Sequence, residues 1–118
     1  MPRNLVLKVT AGEDAPERCL QGLTVASVAA VSGVGVSLWL TGESVWLVTA
    51  DRDLVVPESP PASELLAAVL AAGTVTVCTQ CATRRGLTQD DLLAGVRIAG
   101  ATSFVAEALA DDVQALVY

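Results

Sequence analysis

The sequence predicts an α/β protein: a mostly parallel sheet with helices on both faces, in three layers α/β/α. Short β-branched runs alternate with Ala- and Leu-rich segments of helical spacing, the order expected of right-handed βαβ units. The composition is 53% hydrophobic but only 3% aromatic, so the core is built from Val, Leu, Ile and Ala, as in buried parallel strands under Ala-rich helices. At 118 residues the length suits a single domain over 1–118.

Leu5 to Thr10 is a short apolar, β-branched run that reads as the first strand, followed by the turn-forming Ala11-Gly12-Glu13-Asp14. Asp14 and Glu17 have capping-box spacing and Pro16 suits a first turn. Cys19, Leu20, Leu23, Ala26 and Ala30 then keep helical period, which predicts a helix from Pro16 to Val31 stopped by Gly33. Val34 to Leu40 is the second strand. Thr41-Gly42-Glu43-Ser44 turns the chain into Val45–Thr49, expected as a short helix.

Pro57, Pro60, Pro61 and several charges mark 51–62 as an exposed loop with the makings of a lid. Ser63 is placed to cap a helix through Ala72, ended by Gly73, and Thr74 to Cys78 is a strand. Thr88 and Asp91 form a second capping-box candidate ahead of Leu92 and Leu93. After Gly100 a helix starts at Thr102 and runs to Ala110, and Val113 to Val117 is the closing strand.

Seven Lys and Arg against thirteen Asp and Glu give a net charge of −6, and no cluster of basic residues with aromatics offers a nucleic-acid face. The richest apolar run, Val25–Leu40, is broken by Ser27, Ser32, Gly33, Gly35 and Ser37, short of the roughly 20 residues of a membrane span. The N-terminus runs directly into strand one without the pattern of a signal peptide. The expectation is therefore a cytoplasmic protein with three free thiols. There is no histidine, which removes Ser-His-Asp and Cys-His activation and the commonest zinc ligand. A mean hydropathy of +0.56 points to apolar surface covered by other subunits.

The chemistry-bearing stretch is Val77-Cys78-Thr79-Gln80-Cys81-Ala82-Thr83-Arg84-Arg85-Gly86. In parallel sheets the functional crevice lies beyond the carboxyl ends of the strands, where Cys78 is delivered. Backbone N–H groups of the following turn, with Arg84 or Arg85 folded back, favour thiolate there and make Cys78 a nucleophile; the alternative is a small hydrophobe ending a Val-rich strand. Cys81, three residues on, is placed to resolve a sulfenate or persulfide on Cys78, or else to turn into the core. A tetrahedral metal site needs four ligands, and one chain has only Cys19 besides this pair; no metal is expected. Cys19 lies on the apolar stripe of the first helix and reads as core. Glu13 and Asp14 follow strand one at the same sheet edge, either lining the crevice or capping. No GxGxxG or Walker pattern occurs.

The chain resembles the DsrE/DsrF-like family of small sulfur-relay proteins, which takes in the TusD, DsrE and YchN groups. The resemblance is carried by Gly12-Glu13-Asp14-Ala15-Pro16-Glu17-Arg18 after strand one, Leu38-Trp39-Leu40-Thr41-Gly42-Glu43-Ser44-Val45, Cys78 six residues before Arg84-Arg85-Gly86, Asp91-Leu92-Leu93-Ala94-Gly95-Val96, and Ala110-Asp111-Asp112-Val113. It runs over nearly the whole chain, and Cys78 stands where sulfur-carrying members place the persulfide cysteine; Cys81 departs from the TusD pattern. The resemblance implies a Rossmann-like, about five-stranded sheet. It also implies homo-oligomers such as trimers or hexamers, or mixed oligomers with related subunits, and transfer of sulfane sulfur from a donor protein to an acceptor. That sulfurtransferase chemistry requires no cofactor. Two rivals stand beside it: a dithiol redox protein cycling through Cys78 and Cys81, and a non-catalytic oligomeric subunit in which the thiols are incidental.

Overall fold

The structure is a computed structural model and describes residues 3–118. Five strands form one parallel sheet: β1 (Asn4–Val9), β2 (Gly35–Leu40), β3 (Thr74–Cys78), β4 (Val96–Ala99) and β5 (Val113–Val117), in the order β4-β3-β2-β1-β5. Helices α1 (Pro16–Val31) and α2 (Ala62–Ala72) connect β1 to β2 and β2 to β3, while α3 (Thr79–Arg84) and α4 (Ala101–Ala108) connect β3 to β4 and β4 to β5.

Alternation along each strand divides the sheet into two chemically different faces. Leu7 and Val9, Leu38 and Leu40, and Val75 and Val77 pack with the apolar stripes of α1 (Leu20, Leu23, Ala26) and α2 (Leu65, Leu66, Val69) into one core. Small residues on α1 let helix and sheet approach closely, which is how so few aromatics suffice. The intervening residues, Lys8, Trp39, Thr76 and Arg97, fall in one row across the sheet and face the other way.

This second face is polar and held by α4. Trp39 is 1% exposed and packs edge-on against Phe104, with ring centroids 5.4 Å apart. Its indole N–H donates to Glu107 at 3.1 Å, and the same carboxylate accepts from Ser37 and pairs with Arg97. Arg97 also donates to Thr76 Oγ1 at 2.5 Å. Burial raises the Glu107 pKa, but the hydrogen bonds from Ser37, Trp39 and Arg97 and the Arg97 charge outweigh it and leave the carboxyl below its ordinary range. A depressed carboxylate contributes stability that is present above the unfolded-state glutamate range and is lost as pH falls through the folded value. Glu107→Gln is therefore expected to destabilise at neutral pH, and its deficit against wild type should shrink in acid. Urea unfolding at several pH values reads this directly; a deficit that does not change with pH would contradict it.

Several local expectations are corrected. Strand β4 has no counterpart among the sequence-predicted elements: Val96-Arg97-Ile98-Ala99 is only four residues between Gly95 and Gly100, and its arginine hides the apolar alternation until Thr76 and Glu107 supply partners. Asp14 and Glu17 form no capping box, because Asp14 Oδ1 accepts the Gly12 N–H at 2.8 Å and closes its own turn; the residue before α1 is Ala15. Ser63 lies inside α2 rather than ahead of it. Asp53 reaches back from the loop to accept its N–H at 2.9 Å and its hydroxyl at 2.7 Å. Val45 to Val48 belong to a 3-10 helix, Gly42–Val48, that starts three residues earlier, and Thr49 follows it in extended conformation. The Thr88–Asp91 capping box is present and closes a 3-10 turn of three residues, Gln89–Asp91. The last helix starts at Ala101 and ends at Ala108.

Candidate functional site at the carboxyl edge of the sheet

β3 ends and α3 begins without a loop. Cys78 is extended (φ −64°, ψ 129°) and is itself the residue that caps α3, so its side chain leaves the sheet at the point where the next helix presents unpaired N–H groups. It is half-buried and lies on the same sheet face as Lys8 and Trp39.

Burial pushes the Cys78 thiol up, yet the backbone N–H groups of Cys81 and Gln80, the Cys81 side chain and the Lys8 charge more than offset it. The thiol lies below its ordinary range. Cys19 shows the opposite environment: fully buried, with Asp14 adding repulsion, it is pushed up to about 12 and is inert core.

The expected cations are not the ones that act on the thiol. Arg85 is engaged elsewhere, donating from Nε to Glu43 Oε2 at 3.0 Å and from Nη1 to the Cys81 carbonyl at 3.2 Å, with Nη2 in an ion pair 2.9 Å from the same carboxylate oxygen. Arg84 is exposed and enters no ion pair among the described residues; with Thr79, Gln80 and Thr83 it lines an open cleft of about 380 Å³ that begins one residue beyond Cys78. Lys8 supplies the favourable charge instead, with its ammonium 4.0 Å from the Phe104 ring centroid. The signal for it in the sequence is a lysine interrupting an apolar strand one residue before its end. Lys8→Met, which keeps the stem and removes the charge, is expected to move the midpoint of Cys78 alkylation to higher pH. An unchanged midpoint would mean that the N–H groups alone set it.

Cys81 sits one helical turn beyond Cys78, half-buried, and its Sγ accepts the Gly42 N–H at 3.2 Å. Gly42 holds φ +58°, and a Cβ there would lie 2.7 Å from the Thr10 carbonyl oxygen, so both backbone hand and space require glycine. A Cβ on Gly12 would meet the Glu43 carbonyl oxygen at 2.6 Å. The carboxyl ends of β1, β2 and β3 are thus pressed together. The Glu43–Arg85 pair ties the turn after β2 to α3.

Glu13 does not reach the thiol: it lines a small recess with Glu43, Trp46, Leu47, Arg52 and Asp53. In the 51–62 loop, Val56 to Pro60 line a cleft with Glu17, Leu20, Gln21 and Thr24 of α1. Among the described residues, no group of three or more His, Cys, Asp or Glu is placed to hold a metal.

A parallel five-stranded sheet with this thiol at its carboxyl edge can be compared with known proteins. The profile of the DsrE/DsrF-like family matches residues 4–115. The chain belongs to the DsrE/DsrF-like family. That family is associated generally with sulfur relay. Among solved structures, the ychN protein from E. coli superposes with a TM-score of 0.83 at 19% identity, covering 98% of this chain and 99% of its own. MTH1491 from Methanobacterium thermoautotrophicum, described as of unknown function, gives 0.75 at 12% identity, with 98% and 99% covered. BT1422 from Bacteroides thetaiotaomicron, likewise of unknown function, gives 0.64 at 17% identity, with 98% and 94% covered. These likenesses establish the fold. No curated protein matches the chain in sequence. No helix among the described residues is long and apolar enough to cross a membrane.

Proposed function

We propose that this DsrE-family chain is a sulfur carrier of the sulfurtransferase type, loaded on Cys78. The Cys78 thiolate attacks the outer sulfur of a donor persulfide, the donor thiolate leaves, and the sulfur is held as Cys78–S–SH until an acceptor thiolate takes it. The observation that carries this reading is the thiol itself: half-buried, lowered by two backbone N–H groups, and open to a partner at the end of β3. The exchange uses no histidine, metal or organic cofactor, because a persulfide already contains the bond to be broken. The cleft beside Thr79, Gln80, Thr83 and Arg84 gives a donor or acceptor segment room to approach.

We also read the chain as one domain of a homo-oligomer or of a mixed oligomer with related subunits, working in the reducing cytoplasm. Supporting this are the exposed apolar residues Val105 and Leu109 at α4 and Leu116 and Val117 on the edge strand β5, which assembly would cover.

Intact-mass analysis after incubation with a cysteine desulfurase and cysteine, or with polysulfide, tests the carrier. The expected result is a reductant-sensitive gain of one sulfur mass that Cys81→Ser also shows. Loss of two hydrogens requiring both Cys78 and Cys81, with no sulfur gained at any time, would replace this reading with dithiol redox chemistry.

A further inference from the structure

Cys81 is placed more specifically than a carrier thiol alone demands. It lies three residues beyond Cys78, in the first turn of the helix that Cys78 caps, which is the Cys-x-x-Cys spacing of dithiol–disulfide pairs. The Cys81 side chain is one of the groups that favour the Cys78 thiolate. The Cys81 sulfur accepts the Gly42 N–H at 3.2 Å, and its carbonyl accepts from Arg85 at 3.2 Å. The turn that provides the Gly42 N–H is fixed by the glycine-only contact with Thr10 and by the Glu43–Arg85 pair. Cys81 also packs against the hydrophobic core, but core filling alone needs none of these polar contacts.

We propose that Cys81 discharges the sulfur carried on Cys78 when no acceptor takes it, releasing sulfide and closing a Cys78–Cys81 disulfide. The proposal rests on the carrier reading. Cys81 sulfur attacks the inner sulfur of Cys78–S–SH; the new Cys78–Cys81 bond forms as the bond to the outer sulfur breaks. The outer sulfur leaves with the electron pair as hydrosulfide, and the proton lost by Cys81 joins it to give hydrogen sulfide. Cys81 is oxidised and the outer sulfur reduced, so the step balances without an external oxidant. An acceptor thiol attacking the outer sulfur competes with this internal route. The bound persulfide would then have a limited lifetime, and the resulting disulfide would be an unloaded state unable to accept sulfur until reduced. Cys19 does not compete, being fully buried within the core under α1.

The test follows wild type, Cys81→Ser and Cys81→Ala after polysulfide loading and desalting, by intact mass and by sulfide release. All three are expected to carry one added sulfur at the start. Wild type should then lose it at a rate independent of protein concentration, yielding one sulfide per chain and a mass two hydrogens below the reduced protein. Both variants should keep it at least about tenfold longer, given the advantage of an intramolecular thiol. Equal decay in wild type and variants, or decay in wild type without the disulfide, would overturn the discharge role and leave the carrier intact. Failure of all three to load would overturn the carrier reading, and the discharge role with it.

Discussion

Cys78→Ser is expected to abolish sulfur uptake completely while leaving the fold intact. A serine hydroxyl is not ionised near neutral pH and forms no persulfide, so no part of the exchange survives it. The residue is half-buried, at a strand end with ordinary backbone angles, and serine keeps both the extended conformation and the capping geometry. Mass analysis should show no reducible sulfur at any donor concentration, with thermal unfolding close to wild type. Because Cys19 is buried, with its thiol pushed up to about 12, it does not substitute. Persistent loading of Cys78→Ser, mapped by alkylation and peptide mass to Cys81, would move the carrier role one helical turn along α3.

The second large effect concerns the polar face. Trp39→Ala is expected to cost about 3–5 kcal/mol, the range for truncating a large buried aromatic, against a total of about 5–15 kcal/mol for a chain of this size. The indole is the one large aromatic buried in this sheet. It packs against Phe104 and holds Glu107 by its N–H, with Arg97 above its ring at 5.6 Å. Truncation removes the packing and frees one hydrogen bond of Glu107 at once. Trp39→Phe keeps part of the ring contact and loses only the N–H, so its cost should be clearly smaller. Urea denaturation separates the two; equal stability of Trp39→Ala and wild type would mean that α4 is held by other contacts. Because Phe104 also faces Lys8 at 4.0 Å, Trp39→Ala should loosen the cation beside the thiol and move Cys78 alkylation in the same direction as Lys8→Met.

The alternation of β-branched and helical segments is enough to predict the fold class. The run Thr74–Cys78, bounded by Gly73 and by polar residues after Cys78, locates the thiol at a strand end, because both signals are local: period along the chain and residues that stop an element. Helical period likewise assigns α1 its full extent and places Cys19 inside the core. The partners of the thiol cannot be read this way. The Lys8 charge bears on Cys78 only because the parallel register sets Lys8 level with Trp39 and Thr76 on one face, a relation between distant segments. Arg84 and Arg85 are near in sequence, yet Arg85 finds a carboxylate, Glu43, on the turn after β2. Asp14 and Ser63 are likewise drawn from their expected capping roles by a nearer amide and by a loop carboxylate. Strand β4 depends on partners for Arg97. Periodicity, turn residues and thiol position are properties of the chain and determine which elements form and where the reactive atom emerges. Which charge and which N–H group face that atom depends on distances between strands, and packing alone decides those.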